Sequence, residues 1–143
     1  MENSLHDSEE IKILKARYIR YMDTRNWDAL QNLFMPDAVV EIAEIGHRTE
    51  TAVAFVEFAR TALEGVVSVH NAALPEIVIS ADGTATGVWA MTDDLDAPNG
   101  LAQSEGKPVR MRGAGHYHET YRKTPEGWKI ELMQLTRLRL DIS

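Results

Sequence analysis

Residues 76–95 read EIVISADGTATGVWAMTDDL, and this stretch decides the fold. Asp82 and Gly83 form a two-residue turn signal between two segments of alternating apolar and polar residues. The pattern predicts an antiparallel hairpin of strands 76–81 and 84–95. Composition and alternation predict further strands at 38–45, 66–73, 109–123 and 128–140. The chain is therefore rich in antiparallel β-structure.

Helical segments precede most of these strands. Apolar residues recur there at spacings of three and four. We predict helices from Ser8 to Asp23, from Asn26 to Pro36, and from residues 49–51 to Gly65. Ser8 and Asn26 are expected to cap the first turns, and Gly65 to stop the third helix. This order implies an α+β fold in which three N-terminal helices pack on a strongly curved, mostly antiparallel sheet, a cone that encloses a pocket.

Length and composition favour one globular domain over residues 1–143. Hydrophobic residues make up 44% of the chain and charged residues 26%, which suffices for a buried core. The net charge of −7 disfavours binding to nucleic-acid backbones or anionic membranes. The chain has no cysteine, which excludes disulfides, thiolate metal sites and cysteine nucleophiles.

The N-terminal residues MENSLHDSEEIK are polar and acidic and do not resemble a signal peptide. No apolar run approaches the roughly 18 residues that a membrane helix needs. We therefore expect a cytoplasmic protein.

Five ionisable residues fall at inward positions of this pattern. They are Tyr18, Asp23, His70, Asp93 and Arg137. Burying such groups costs free energy unless they pair with one another. If the fold brings them together, chemistry on a small molecule explains their presence best.

His70 lies on the inward face of strand 66–73 and has two interpretations. It is either a half-buried histidine with a backbone partner or a general base, because imidazole titrates near neutral pH. Asp23 is the candidate partner that would fix the imidazole tautomer. A carboxylate at a helix C-terminus opposes the helix dipole, which favours another task for Asp23.

Asp93 and Arg137 also have two interpretations each. Asp93 ends an inward stripe, so it marks either the point where the strand emerges into water or a group that points into a cavity. Arg137 shares a face with apolar residues, where an arginine pairs with a carboxylate or binds an oxyanion. A purely structural ion pair of Arg137 with Asp93 or Glu131 is the alternative.

The sequence gives little support for a metal or a nucleotide. His116 and His118 share a strand face without a third ligand in sequence, which is weak evidence for zinc. The segment 113–115, Gly-Ala-Gly, lies within a strand and indicates a kink or bulge rather than a phosphate loop. We expect no metal and no cofactor.

Several motifs resemble those of the SnoaL-like group within the nuclear-transport-factor-2-like superfamily. The resemblance covers about residues 10 to 140. Its motifs are Leu14-x-x-x-Tyr18-x-x-x-x-Asp23-x-x-x-Trp27-x-x-Leu30, Gly87-Val-Trp-Ala-Met-Thr-Asp93, Gly113-Ala-Gly-His-Tyr117, Gly127-Trp128-Lys-Ile130 and Thr136-Arg137.

Within this group the pattern is most similar to bile-acid 7α-dehydratases, with scytalone dehydratase more distant. The resemblance implies that the five ionisable residues named above are catalytic. It implies a hydro-lyase or isomerase that needs no cofactor and acts on a small cyclic hydroxy-ketone of steroid-like or polyketide-like shape. His70 would be the base and Tyr18 a hydrogen-bond donor. We expect the substrate-binding residues to be Phe55, Trp89, Met91 and His116.

Two alternatives stay open. Relatives with this fold also serve as non-catalytic binding or assembly domains, and a cavity plugged by side chains would favour that role. Limonene epoxide hydrolase resembles the fold as well, but its Asp-Arg-Asp cluster is only partly supplied by Asp93 and Arg137. Exposed sheet edges are commonly paired or covered, and relatives of this type form dimers or trimers. We therefore expect a homodimer or homotrimer.

Overall fold

A computed structural model describes residues 2–143, and Met1 and the side chains of Glu2, Asn3 and Gln103 lie outside the description. The helices are α1 (Glu2–Asp23), α2 (Trp27–Gln31) and α3 (Ala52–Ala62), with 3-10 turns at Ala43–Ile45 and Ala102–Ser104. The strands are β1 (Phe34–Ile42), β2 (His47–Thr49), β3 (Val67–Ile79), β4 (Thr84–Ala97), β5 (Val109–Thr124) and β6 (Gly127–Ile142).

These strands form one mixed sheet in the order β2-β1-β6-β5-β4-β3. Only the pairing of β1 with β6 is parallel. Helix α1 packs against β3 and β6, and α3 packs against β1, so the helices cover one face of the sheet. The predicted α+β fold is therefore confirmed. No helix within residues 2–143 is long and apolar enough to cross a bilayer.

The first helix begins earlier than predicted. Ser8 lies inside α1, which already includes Glu2, so Ser8 is not its N-cap. Asp7 explains the extension, because its buried carboxylate accepts hydrogen bonds from Trp128 Nε1 and Lys123 Nζ, both at 2.9 Å. These bonds fix the first turns of α1 to the hairpin of β5 and β6.

The second helix is shorter than predicted. It ends at Gln31, and Phe34 already begins β1. The residues after Gln31 pair with β6 instead of continuing the helix, and Ile130 N donates to Leu33 O at 2.9 Å. Pro36 lies where the register of β1 against β6 shifts, so its missing N–H removes no ladder hydrogen bond.

The two strands predicted at 66–73 and 76–81 form a single strand, β3. A bulge between Ala73 and Glu76 joins its halves, and both halves pair with β4. Leu74 has a φ of 50° at this point. Such bulges bend a strand and raise its twist, which helps the sheet curve around the helices. The hairpin turn at Asp82 and Gly83 is confirmed.

Candidate active site

The end of α1 meets the inner face of β3 at His70 and Asp23. His70 Nδ1 lies 2.6 Å from Asp23 Oδ1, and the backbone N–H of His70 donates to Asp23 Oδ2 at 2.8 Å. The side chains are only 12% and 19% exposed. With Nδ1–H directed to the carboxylate, Nε2 is the ring nitrogen that is free to accept a proton.

Two residues that sequence reasoning did not select hold Asp23 in place. Ser68 Oγ donates to Asp23 Oδ1 at 2.9 Å, and Arg25 Nη1 donates to Ser68 Oγ at 2.8 Å. Arg25 also donates to the backbone carbonyls of Met22 and Val66. These bonds tie α1 to β3, so the carboxylate is fixed on both oxygens. The shared inward face of Ser68 and His70 was the only sequence signal for this support.

Arg137 on β6 and Asp93 on β4 form a second buried pair, which spans the intervening strand β5. Arg137 Nη1 and Nη2 donate to the two Asp93 oxygens at 2.9 and 2.8 Å. Glu44, on the 3-10 turn after β1, accepts from Arg137 Nε at 2.5 Å. Burial lowers the pKa of Arg137, but the two carboxylates raise it by more than burial lowers it, so the net pKa is raised. The guanidinium therefore stays charged between two carboxylates.

Two glycines of β5 make room for this pair and for the backbone of β6 beside it. A Cβ on Gly113 would lie 1.9 Å from Arg137 Nη1, and one on Gly115 would lie 2.0 Å from Thr136 O. Ala114 pairs with Arg139 and Gly115 with Arg137. A bulge is therefore present beside the predicted segment, but its extra residue, Leu138, lies on β6. The Gly-Ala-Gly segment thus serves the site without touching a phosphate.

A cavity of about 150 Å³ opens beside these groups. His70, Asp93 and Arg137 line it together with Tyr18 and Tyr117. The rest of its wall is mainly apolar and includes Phe55, Phe58, Leu63, Met111, Leu135 and Leu140. The structure therefore brings the five predicted catalytic residues together around one space, with Asp23 reaching it through His70.

Comparison with known proteins identifies the family. The model of the SnoaL-like domain matches residues 3–134. The chain belongs to the SnoaL-like family. Its SnoaL-like fold is also that of the Kfla4162 protein from Kribbella flavida, with a TM-score of 0.85, 16% identity, and coverage of 96% of this chain and 95% of that one.

Two other similar proteins carry names that mention chemistry. Probable cyclase FGR4 of Gibberella zeae is 25% identical over 134 residues, which is 87% of this SnoaL-like chain and 86% of that protein. The structure of hexachlorocyclohexane dehydrochlorinase LinA-type3 from Novosphingobium barchaimii superposes on this chain with a TM-score of 0.81 at 13% identity. The superposition covers 98% of this chain and 92% of the dehydrochlorinase chain.

Of the four predicted substrate-binding residues, only Phe55 lines the cavity of this SnoaL-like protein. Trp89 lies deeper in the core, where its indole N–H donates to Tyr121 Oη at 2.9 Å. Met91 is 3% exposed and is also a core residue. The prediction is therefore wrong for Trp89 and Met91, because the inward stripe of β4 reaches the cavity only at Asp93 and Leu95.

His116 is also misplaced by the prediction. It lies on the outer face of β5, next to His118, because Tyr117 occupies the inward position between them. His118 Nε2 forms a hydrogen bond with Thr136 Oγ1 at 3.1 Å. In the part of this SnoaL-like chain that the structure describes, no three histidine, aspartate or glutamate side chains are grouped to hold a metal ion.

Asp23 gives the site an acid-sensitive contribution to stability. Burial raises the pKa of its carboxyl, but the hydrogen bonds and charge of His70 and the Ser68 hydroxyl lower it more, so the net pKa falls below the ordinary 3.8. The folded state therefore binds this proton less readily than the unfolded chain. The contribution is complete above the unfolded pKa and is lost as the pH falls through the folded one.

We expect this loss to appear when wild type and Asp23→Asn are compared by urea unfolding across acidic pH. The difference in their free energies of unfolding should shrink as the pH falls below about 4, where the carboxylate of the wild type is protonated. Ser68→Ala removes one hydrogen bond to the carboxylate and should weaken this pH dependence. A difference that does not change with pH would contradict the arrangement.

Proposed function

We propose that this SnoaL-like protein is a dehydratase or isomerase that works by acid–base chemistry, without a cofactor, on a small cyclic hydroxy-ketone. The observation that carries the proposal is the His70–Asp23 pair at the wall of an apolar cavity. A histidine held by a buried carboxylate is a suitable general base. The open cavity beside it favours catalysis over the alternative of an assembly domain with a plugged core.

The reaction begins when His70 Nε2 removes a proton from the carbon next to the substrate carbonyl. The C–H electron pair forms a C=C bond while the C=O π pair moves to the carbonyl oxygen, and Asp23 stabilises the imidazolium that forms. In dehydration the C=O bond re-forms, the enolate pair makes the new C=C bond to the β-carbon, and the β C–O bond breaks as the hydroxyl leaves as water with the proton from His70. In isomerisation, the same proton is returned to another carbon. Phenol hydroxyls at the cavity wall would stabilise the oxyanion.

The size and charge of the cavity indicate the ligand class. The cavity volume of about 150 Å³ is enough for a ligand the size of benzene. One six-membered ring fits inside, whereas a steroid-like or polyketide-like skeleton would extend through the mouth. Asp23, Asp93 and Glu44 outnumber the single cation Arg137 among these groups, so we propose an uncharged substrate.

The names of similar proteins support this choice of chemistry. One relative is named a probable cyclase, and one structural neighbour is named a hexachlorocyclohexane dehydrochlorinase. Dehydrochlorination and dehydration both remove a proton and a leaving group from neighbouring carbons. A base beside a ring-sized cavity suits either elimination.

The proposal is tested by incubating the protein with β-hydroxycyclohexanone in deuterium oxide and following the ketone by proton NMR. We expect cyclohexenone to form, or deuterium to enter the carbon next to the carbonyl, faster than in buffer. Asp23→Asn keeps the shape of the site but removes the charge that stabilises the imidazolium, so its rate should fall. If neither elimination nor exchange exceeds the buffer rate with this ketone or its bicyclic homologues, the proposal is refuted.

Glu44 favours epoxide hydrolysis as a second candidate function. It completes a carboxylate–arginine–carboxylate cluster with Asp93 and Arg137, of which the sequence had revealed only two members. Such a cluster can orient a water toward an epoxide carbon and protonate its oxygen. Cyclohexene oxide would then be opened to a diol, and Glu44→Gln would slow that reaction while leaving β-elimination intact.

A further inference from the structure

Tyr117 belongs to one of the family motifs, but neither the five predicted catalytic residues nor the acid–base pair includes it. It points inward from β5, is 2% exposed and lines the cavity with Tyr18. The two rings meet edge to face with centroids 5.9 Å apart. Two phenols therefore share the wall of the cavity near Asp93 and Arg137.

Both phenols are able to donate a hydrogen bond. Burial is the largest influence on each and raises the pKa of both, so both stay protonated. Each hydroxyl therefore carries a hydrogen that it can donate to a ligand in the cavity.

A buried ammonium fixes both rings from behind. Lys15 Nζ lies 3.4 Å from the centroid of the Tyr117 ring and 4.0 Å from that of Tyr18. It is held by Glu119 at 2.6 Å, and Tyr121 Oη donates to the other oxygen of that carboxylate at 2.6 Å. A cation at a ring face restricts the orientation of the ring.

From these contacts we infer that Tyr117 is a further catalytic residue, a second phenol that donates a hydrogen bond to the substrate carbonyl oxygen beside Tyr18. This inference rests on the proposed function for its substrate class. It adds Tyr117 to the contact with the oxyanion that the family resemblance implied for Tyr18. A donor that is already oriented before reaction is the kind that lowers the barrier to enolate formation.

The test uses cyclohexenone as a probe, because one uncharged ring fits the cavity and needs no turnover to report. The carbonyl stretching frequency of the bound probe is measured by infrared difference spectroscopy, and its affinity by calorimetry. In wild type we expect the frequency to fall relative to that in hydrocarbon solvent. Tyr117→Phe should remove a large part of this shift and weaken binding about two- to tenfold.

Tyr21→Phe is the matched control, since it deletes a phenol hydroxyl of α1 that lies outside the cavity. It should keep the carbonyl shift. The inference is overturned if Tyr117→Phe retains the wild-type shift, if Tyr21→Phe loses as much, or if cyclohexenone does not bind. It is also overturned if Tyr18→Phe alone abolishes the shift while Tyr117→Phe does not.

A label covers the case in which Tyr117→Phe does not fold. The chain has four tyrosines, and in fluorotyrosine-labelled wild type the Tyr117 signal should move most when cyclohexenone binds. A Tyr117 signal that does not move overturns the inference. If the elimination assay fails while the carbonyl shift depends on Tyr117, the donor assignment stands and the proposed reaction falls. If elimination is observed while the carbonyl shift does not depend on Tyr117, the proposed reaction stands and the donor assignment falls.

Discussion

Replacing His70 with alanine is expected to lower turnover by about 10²- to 10⁴-fold, the usual contribution of a positioned general base. The imidazole lies at the cavity wall, 2.6 Å from the Asp23 carboxylate, so alanine removes the base from that place. The rate of elimination or deuterium exchange measures the loss. Affinity for cyclohexenone should change far less, because the apolar wall and the phenols stay in place.

His118→Ala is the matched control for this substitution. His118 is also a strand histidine with one side-chain partner, but it lies on the outer face of β5 and should leave turnover unchanged. Thermal unfolding of both variants separates chemistry from folding. A His70→Ala protein that keeps wild-type turnover would remove the base from the mechanism, and one that merely unfolds would assign His70 a structural role.

Much of the fold could be predicted because its signals are local. The turn at Asp82 and Gly83 and the alternation around it identify β4 without tertiary information. The bulges at Leu74 and near Leu138 are different, because they arise from pairing with strands that are distant in the sequence. Strict alternation along β6 turns Leu140 away from Arg137, whereas the bulge returns it to the cavity side.

The site shows the same division. His70 and Asp23 could be paired from their placement on one strand face and one helix end. Glu44 could not, because it approaches Arg137 across 93 residues of sequence from a turn that alternation had placed in a strand. His116 was misplaced although the same alternation sets it opposite Tyr117. A periodicity locates faces well, but only the packed structure shows which part of a face reaches the cavity.

The largest loss of stability is expected from Lys15→Met. Lys15 and Glu119 are 1% and 0% exposed and lie 2.6 Å apart, so the substitution leaves a carboxylate buried without its cation. Breaking a buried ion pair from one side typically costs about 3–5 kcal/mol. Chemical unfolding should show a loss of this size. Lys12→Met, on the exposed side of the same helix, is the matched control and should change stability little.

The double variant Lys15→Met with Glu119→Gln separates the pair from the space that it fills. Methionine keeps most of the volume of lysine, and the glutamine amide oxygen can still accept from Tyr121. Because no unpaired charge then remains, most of the lost stability should return. If the single variant is as stable as wild type, or the double variant no better than the single, the pair does not hold charge in the core. The double variant would also leave Tyr117 and Tyr18 without a cation behind their rings, so any change in its carbonyl shift measures what the ammonium contributes to the phenols rather than to folding.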